Sequence, residues 1–358
     1  MASQVREHEP SSATDSFVKV VAESGGLKSV PSQFTFENEY SKGSNYSNSI
    51  PTLDFSHLTS PDSDLRSKAL KDLAHACQEG GFFVLINHGI PERVTKGVIE
   101  ASLEFFNLPD HEKKVYKHKS PSDPIKCGSG ALTTTSNHRI RHWRDFLKTY
   151  VSPHFHCPEN PPILGDILLE YSEKTRHVAR TLLQGIGENL ELEQGYIDRA
   201  LQLDSSFQQY SANYYPPCPE PDHAIGIMPH SDHGLLTFLI HNGVAGLQIQ
   251  HNGEWFEANS PHGSIWVHTA DHLEIFSNGR YKSVNHRALV NNQTTRISVI
   301  ITNASAPETI VGPAGPLVER DGRALYRPMK FIEYLETKPS KQFGGKSNLD
   351  CVKIDAAA

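Results

Sequence analysis

The sequence predicts a mostly β protein with flanking helices, its core a barrel or a sandwich. Two observations carry this. Beyond about residue 205 the chain runs in short apolar stretches separated by turn residues, the pattern of many short strands. Before that point, apolar residues recur at helical spacing in long segments, with brief all-apolar runs between them.

The elements follow in order. Residues 1–48 are rich in Ser, Gly, Glu and Asn and read as a flexible N-terminal arm. Ile50 to Phe55 is a short strand candidate. Ser60-Pro61 then reads as N-cap and first helical position, ahead of a helix whose apolar face is Leu65, Ala69, Leu70, Leu73, Ala76 and Cys77. It ends at Gly80-Gly81. Phe82 to Asn87 reads as a buried strand closed by a turn at His88-Gly89. A second helix spans about 91–106, and the Ser-, Pro- and Gly-rich residues 117–140 read as a long loop over a site. A long amphipathic helix near 164–190 carries Leu164, Leu168, Tyr171, Thr175, Val178, Leu182 and Ile186 on one stripe. Strands follow at 235–240, 246–250, 281–290 and 296–301, and a last helix at about 329–335. The resulting segmentation is 1–48, 49–165, 166–203, 204–306 and 307–358.

Composition narrows the function. A net charge of −7 and the lack of a dense Lys/Arg run argue against nucleic acid as a partner. No apolar stretch is long enough to span a bilayer, and the polar first ten residues do not read as a signal peptide. The reading is a cytoplasmic monomer. Its five cysteines are scattered, so free thiols are expected rather than disulfides or a thiolate metal site. Gly344-Gly345-Lys346-Ser347 ends like a phosphate-binding loop, but Ser340 stands where the first glycine belongs. Gly128-Ser129-Gly130 is no nucleophile elbow.

The chemistry concentrates in His230-Ser231-Asp232, His286 and Arg296-Ile297-Ser298. Two histidines and one carboxylate form the facial set that holds non-haem Fe(II) and leaves positions open for oxygen chemistry. On a strand, His230 and Asp232 would share a face, as would Arg296 and Ser298. A guanidinium fork with a hydroxyl beside it suits a carboxylate. With 20 histidines and 41 acidic residues, an isolated His-x-Asp is weak, so the flanking strands decide. His88 reads as structural, the His268, Asp271, His272 cluster as a turn, and Trp143-Arg144-Asp145 as scaffold. His138 and His142 share a helical spacing but lack the His-Glu-x-x-His pattern of zinc proteases.

Asn213-Tyr214-Tyr215-Pro216-Pro217-Cys218-Pro219, the His230 and Arg296 motifs, and the run Ser277 to Arg287 together resemble the plant 2-oxoglutarate- and Fe(II)-dependent dioxygenases. Gly81 to Ile90 and Trp143-Arg144-Asp145-Phe146 extend the resemblance, which covers about residues 50–350. It is similar within that family to flavanone-3-dioxygenase-like and downy-mildew-resistance-type oxygenases. The resemblance implies a distorted double-stranded β-helix (jelly roll) core with an N-terminal α/β region. It implies His230, Asp232 and His286 as ligands of Fe(2+). Arg296 and Ser298 would bind the distal carboxylate of 2-oxoglutarate, with Tyr215 and Asn213 supporting the co-substrate. It further implies ascorbate as reductant, a small-molecule substrate and O2, with succinate and CO2 as products.

Two departures stand out. Ala270-Asp271 replaces the usual Gly-Asp, and Thr302-Asn303-Ala304 lacks the Phe and Glu of anthocyanidin-synthase-like enzymes. The second favours a substrate other than a flavonoid. Substrate contacts are expected from 125–148, 208–212 and 302–306. An iron oxidase that does not use 2-oxoglutarate, such as aminocyclopropane-carboxylate oxidase, shares the Arg-x-Ser. A non-catalytic binding jelly roll would have no need of an intact triad.

Overall fold

The computed structural model describes residues 16–36, 50–117, 120, 123–130, 132–134, 139–337 and 347–354. The chain enters through α1 (Val18–Glu23), β1 (Thr52–Asp54), α2 (Phe55–Leu58), α3 (Ser63–Glu79), β2 (Phe82–Ile86), α4 (Glu92–Asn107) and α5 (Asp110–Lys114). Strands β3 (Ile125–Ser129), β4 (Leu132–Thr134), β5 (Arg139–Arg141) and β6 (Asp145–Ser152) precede α6 (Pro162–Asn189) and α7 (Tyr196–Ala200). Then come β7 (Phe207–Tyr215), β8 (Ile227–His230), β9 (Leu236–His241), β10 (Leu247–His251), β11 (Glu254–Glu257) and β12 (Ile265–Thr269). After α8 (Asp271–Phe276) follow β13 (His286–Ala288) and β14 (Arg296–Ala304). The chain closes with β15 (Ile310–Val311), α9 (Gly315–Asp321), β16 (Met329–Lys330), α10 (Phe331–Glu336) and α11 (Ser347–Val352).

Eight strands form one sheet in the order β1-β2-β12-β9-β14-β7-β6-β3, and four form another, β11-β10-β13-β8. These are the two walls of a jelly-roll core. Strand alternation divides the large sheet's side chains. Ile297, Val299 and Ile301 of β14 join Leu147, Tyr210, Phe238 and Val267 in the main core, with residues of α3, α4 and α6. Trp266, Leu239, Phe82 and Val84 face the other way and pack with Ile249 and Phe256 of the small sheet. Both faces are covered, which is why these strands read as continuous apolar runs.

Helix α6 buries the whole expected stripe, Leu164 through Ile186. Each fully buried leucine there contributes about 1.5–3 kcal/mol. No helix among the described residues is long and apolar enough to cross a membrane. All five cysteines are free.

Several expectations need correction. Helix α3 starts two residues later than Ser60-Pro61 suggested: Asp62 is the N-cap and its carboxylate accepts from the amides of Asp64 and Leu65. Leu65 is 39% exposed, off the buried face. Residues 16–36, read as part of a loose arm, hold α1 and bury Phe17, Val18 and Phe34. What fastens them is Asp145, whose carboxylate accepts from the amides of Val18 and Lys19 at 2.7 and 2.9 Å. That contact joins residues more than a hundred apart, so no local pattern announces it. The expected loop at 117–140 contains β3 and β4 and the start of β5. The strand at 281–290 is confined to His286–Ala288. His268 lies in β12, and Asp271 and His272 open α8, so that cluster is no turn. His142 follows β5 rather than sitting on a helix, and His138 lies outside the described residues.

Candidate metal and co-substrate site

His230 ends β8 and His286 opens β13, and the two are register partners across the small sheet. Their ring centroids stand 4.2 Å apart. Asp232 lies in the loop just after β8, not on the strand as the i, i+2 argument expected. The loop nevertheless turns its carboxylate back between the rings. Oδ1 is 3.9 Å from Nε2 of His230, and Oδ2 is 4.0 Å from Nε2 of His286. One ligand atom from each of the three residues lies within 4.8 Å of the others.

The tautomers suit a cation. Nδ1–H of His230 donates to the Met228 carbonyl at 2.8 Å, which leaves Nε2 as a lone-pair donor toward Asp232. Burial, then His286, push the His230 imidazolium down to about 3, so the ring is neutral at working pH. Burial opposes ionisation of Asp232, but His286, His230 and His268 hold its carboxyl well below the usual range. Asp232 Oδ2 is buried without a hydrogen-bond partner. Two imidazole nitrogens and an anionic carboxylate with an orphaned oxygen fit a divalent first-row metal such as Fe(II).

The loop is held tightly. The Leu235 amide donates to the Asn303 carbonyl at 2.7 Å, and the Asp271 amide to the Asp232 carbonyl at 2.8 Å. A Cβ on Gly234 would stand 2.5 Å from the Asn303 carbonyl oxygen. Gly234→Ala is therefore expected to cost about 1–3 kcal/mol and to weaken metal retention by displacing Asp232. Urea unfolding with and without metal checks it; an unchanged midpoint and metal affinity would refute the close-approach argument. Asp271 itself accepts from Ser283 Oγ at 2.6 Å and Tyr334 Oη at 2.7 Å, tying the loop to the His286 segment and to α10.

Arg296 opens β14 opposite Tyr215 of β7, and Ser298 pairs with Asn213. All four are buried. The Arg296 guanidinium lies 5.1 Å from the Tyr215 ring centroid. Its Nε has no hydrogen-bond partner, and burial pulls its pKa below the ordinary arginine value. Opposite Leu289 and Arg296, Gly246 has φ +145°, and a Cβ there would meet the Leu289 carbonyl oxygen at 2.9 Å and Arg296 Cδ at 3.0 Å. The Asn213 amide oxygen is already taken by Arg144 Nη1 at 2.6 Å.

Arg144 is the residue that the scaffold reading of Trp143-Arg144-Asp145 missed. Trp143 and Asp145 are structural: the indole donates to the Pro216 carbonyl at 3.1 Å and packs edge-on to Phe34. Arg144 instead reaches Asn213 and lies beside Tyr215. His268 was also missed; its ring is 4.7 Å from that of His286, with both nitrogens unpartnered. Strand alternation through β12 was the available signal for it.

Sequence comparison agrees with this geometry. The model of the 2OG-Fe(II) oxygenase superfamily matches residues 206–303, and that of the non-haem dioxygenase in morphine synthesis N-terminal region matches 50–165. The rice (Oryza sativa subsp. japonica) protein named 2-oxoglutarate-dependent dioxygenase 19 is 42% identical over 86% of this chain and 91% of its own length. The chain belongs to the 2OG-Fe(II) oxygenase superfamily. Within this superfamily, DMR6-LIKE OXYGENASE 2 of Arabidopsis thaliana is 32% identical over 86% of this chain and 88% of its own. The crystal structure of JOX2 in complex with 2OG, Fe and JA superposes with a TM-score of 0.83 at 27% identity, covering 97% of this chain and 98% of that one.

Buried neutral histidines set an acid limit on the fold of this oxygenase. Burial holds His142, His268 and His272 at about 3, against about 6.5 in an unfolded chain. The unfolded state therefore binds protons first as pH falls. Stability is complete above about pH 6.5 and declines toward pH 3, by up to about 1.4 kcal/mol per pH unit for each ring. Urea midpoints of the chelator-treated protein are expected to fall between pH 7 and pH 5. A flat profile over that range would show that the rings gain protons without unfolding.

Proposed function

We propose that this protein is a 2-oxoglutarate-dependent Fe(II) dioxygenase that hydroxylates a small plant specialised metabolite or hormone. The observation that carries the site assignment is a convergence. His230, Asp232 and His286 bring ligand atoms within 4.8 Å of one another, while the desolvated Arg296 lies on the facing sheet. His230, Asp232 and His286 would hold Fe(2+). Arg296 and Ser298 would take the distal carboxylate of 2-oxoglutarate. Tyr215 packs beside that guanidinium, and Asn213 is held by Arg144.

Iron with 2-oxoglutarate and O2 supplies the oxidising power, releasing succinate and CO2, and ascorbate keeps the metal reduced. The protein binds, orients and excludes water. Nδ1–H bonds fix the histidine rings, and the short backbone bonds of the Asp232 loop hold the carboxylate in place. No side chain is needed as a general base. The named relatives, which are dioxygenases and oxygenases of plants, support this reading.

The test is an anaerobic titration of purified metal-free protein with Fe(II) and 2-oxoglutarate, following the visible charge-transfer band of the chelate. A saturable band is expected. Iron binding without the band would point to an oxidase that does not use 2-oxoglutarate.

A further inference from the structure

Strand β6 alternates Phe146, Lys148 and Tyr150 against buried Asp145, Leu147, Thr149 and Val151. The register shows which face the first set occupies. Phe146 pairs with Asn213 of β7, and Asn213 pairs with Ser298 of β14. Lys148 pairs with Ser211, and Ser211 with Ile300. Cross-strand partners project to the same side of a sheet. Phe146 and Lys148 therefore stand on the face that carries Asn213, Ser298 and Arg296, one pleat apart.

Lys148 makes neither a hydrogen bond nor an ion pair among the described residues, and its contact is with the Phe146 ring, 5.9 Å from the centroid. Burial, then Arg144, push its ammonium down to about 8, which leaves it mostly charged at neutral pH. The charged groups it senses are Arg144, Asp232 and Lys126. Lys126 is its register partner on β3 and donates to Tyr150 Oη at 3.2 Å. Asp145, the nearest acid in sequence, faces the opposite side and is occupied by α1 and Ser129.

Charge balance then points to the missing partner. With Fe(II) and a 2-oxoglutarate dianion bound, the charges of Asp232 and Arg296 bring that set to neutrality. Among the described residues the buried Arg144 and the half-buried Lys148 remain as two cations without a carboxylate. A cation held out of water without a counter-ion is costly, and it discriminates for an anion. Resting on the reading above, we propose that Lys148, with Arg144 beside it, anchors a carboxylate of the prime substrate, which is therefore a small organic anion. Phe146, next along the strand, offers that molecule an apolar contact.

The test uses the anaerobic holoenzyme with Fe(II) and 2-oxoglutarate. The probes are two matched pairs: naphthalene-1-acetate with naphthalene-1-acetamide, and 4-phenylbutyrate with 4-phenylbutyramide. Calorimetry and the shift of the charge-transfer band report binding. Each carboxylate is expected to bind about 30-fold more tightly than its amide. The preference should vanish in Lys148→Met and persist in Lys148→Arg. Equal binding of acid and amide, an intact preference in Lys148→Met, or no binding of either acid overturns the proposal. So does loss of the band itself in Lys148→Met, which would assign the lysine to 2-oxoglutarate. A wild-type protein that shows the preference by calorimetry yet forms no band would refute the iron reading and leave the anion site standing.

Discussion

Asp232→Asn protein is expected to fold as the wild type does, to lose Fe(II) on gel filtration, and to turn over at least about 1000-fold more slowly. The carboxylate is the one anionic donor of the triad, and the amide that replaces it keeps the shape without the charge. In the metal-free protein Asp232 Oδ2 is buried without a hydrogen-bond partner, so the amide breaks no hydrogen bond at that atom. The backbone bonds that hold the loop, from Asp271 and Leu235, do not involve the side chain. Metal analysis after desalting, thermal unfolding of metal-free protein and single-turnover rates separate the outcomes. An Asp232→Asn protein that retains stoichiometric Fe(II) would show that the metal is held elsewhere.

Arg296→Met should weaken 2-oxoglutarate binding sharply and at the same time make the metal-free protein more stable. The guanidinium is 2% exposed, its Nε is unpartnered, and no carboxylate pairs with it among the described residues. Its local support is the Tyr215 ring and hydroxyl. Removing one partner of a buried charge pair costs about 2–5 kcal/mol of binding, so the 2-oxoglutarate dissociation constant should rise at least about 30-fold. Replacing an unpaired buried charge by an apolar side chain of similar length should stabilise the empty protein by about 1 kcal/mol or more. Calorimetric titration and urea unfolding read the two effects separately. Lower stability in Arg296→Met would mean that the guanidinium is structurally satisfied, and that the site does not store the opportunity for an anion.

Periodicity and residue chemistry carried most of the frame and the triad. The α6 stripe, the apolar runs of β2, β9 and β14, and the three candidate ligands with Arg296 and Ser298 were all legible as short local patterns. Asp232 was found for a partly wrong reason: its proximity to His230 comes from the loop that leaves β8, not from strand alternation. The residues that escaped are those whose roles arise across segments. Arg144 and Asp145 are neighbours, yet one turns to the site and the other ties down α1 from the opposite face. His268 looked like part of a turn because its partners, Thr237 and Phe82, come from strands far away in sequence.

By itself the sequence determined which side chains carry chemistry and which faces are apolar, because donor type and hydrophobic period are properties of short stretches. Only the tertiary structure decided that Lys148, on the face of Arg296, has no anionic partner among the described residues, that residues 16–36 are fastened to Asp145, and that Gly234 lies against β14. Register between distant strands and the desolvation of a charge depend on what the rest of the chain brings alongside, and no local pattern encodes them.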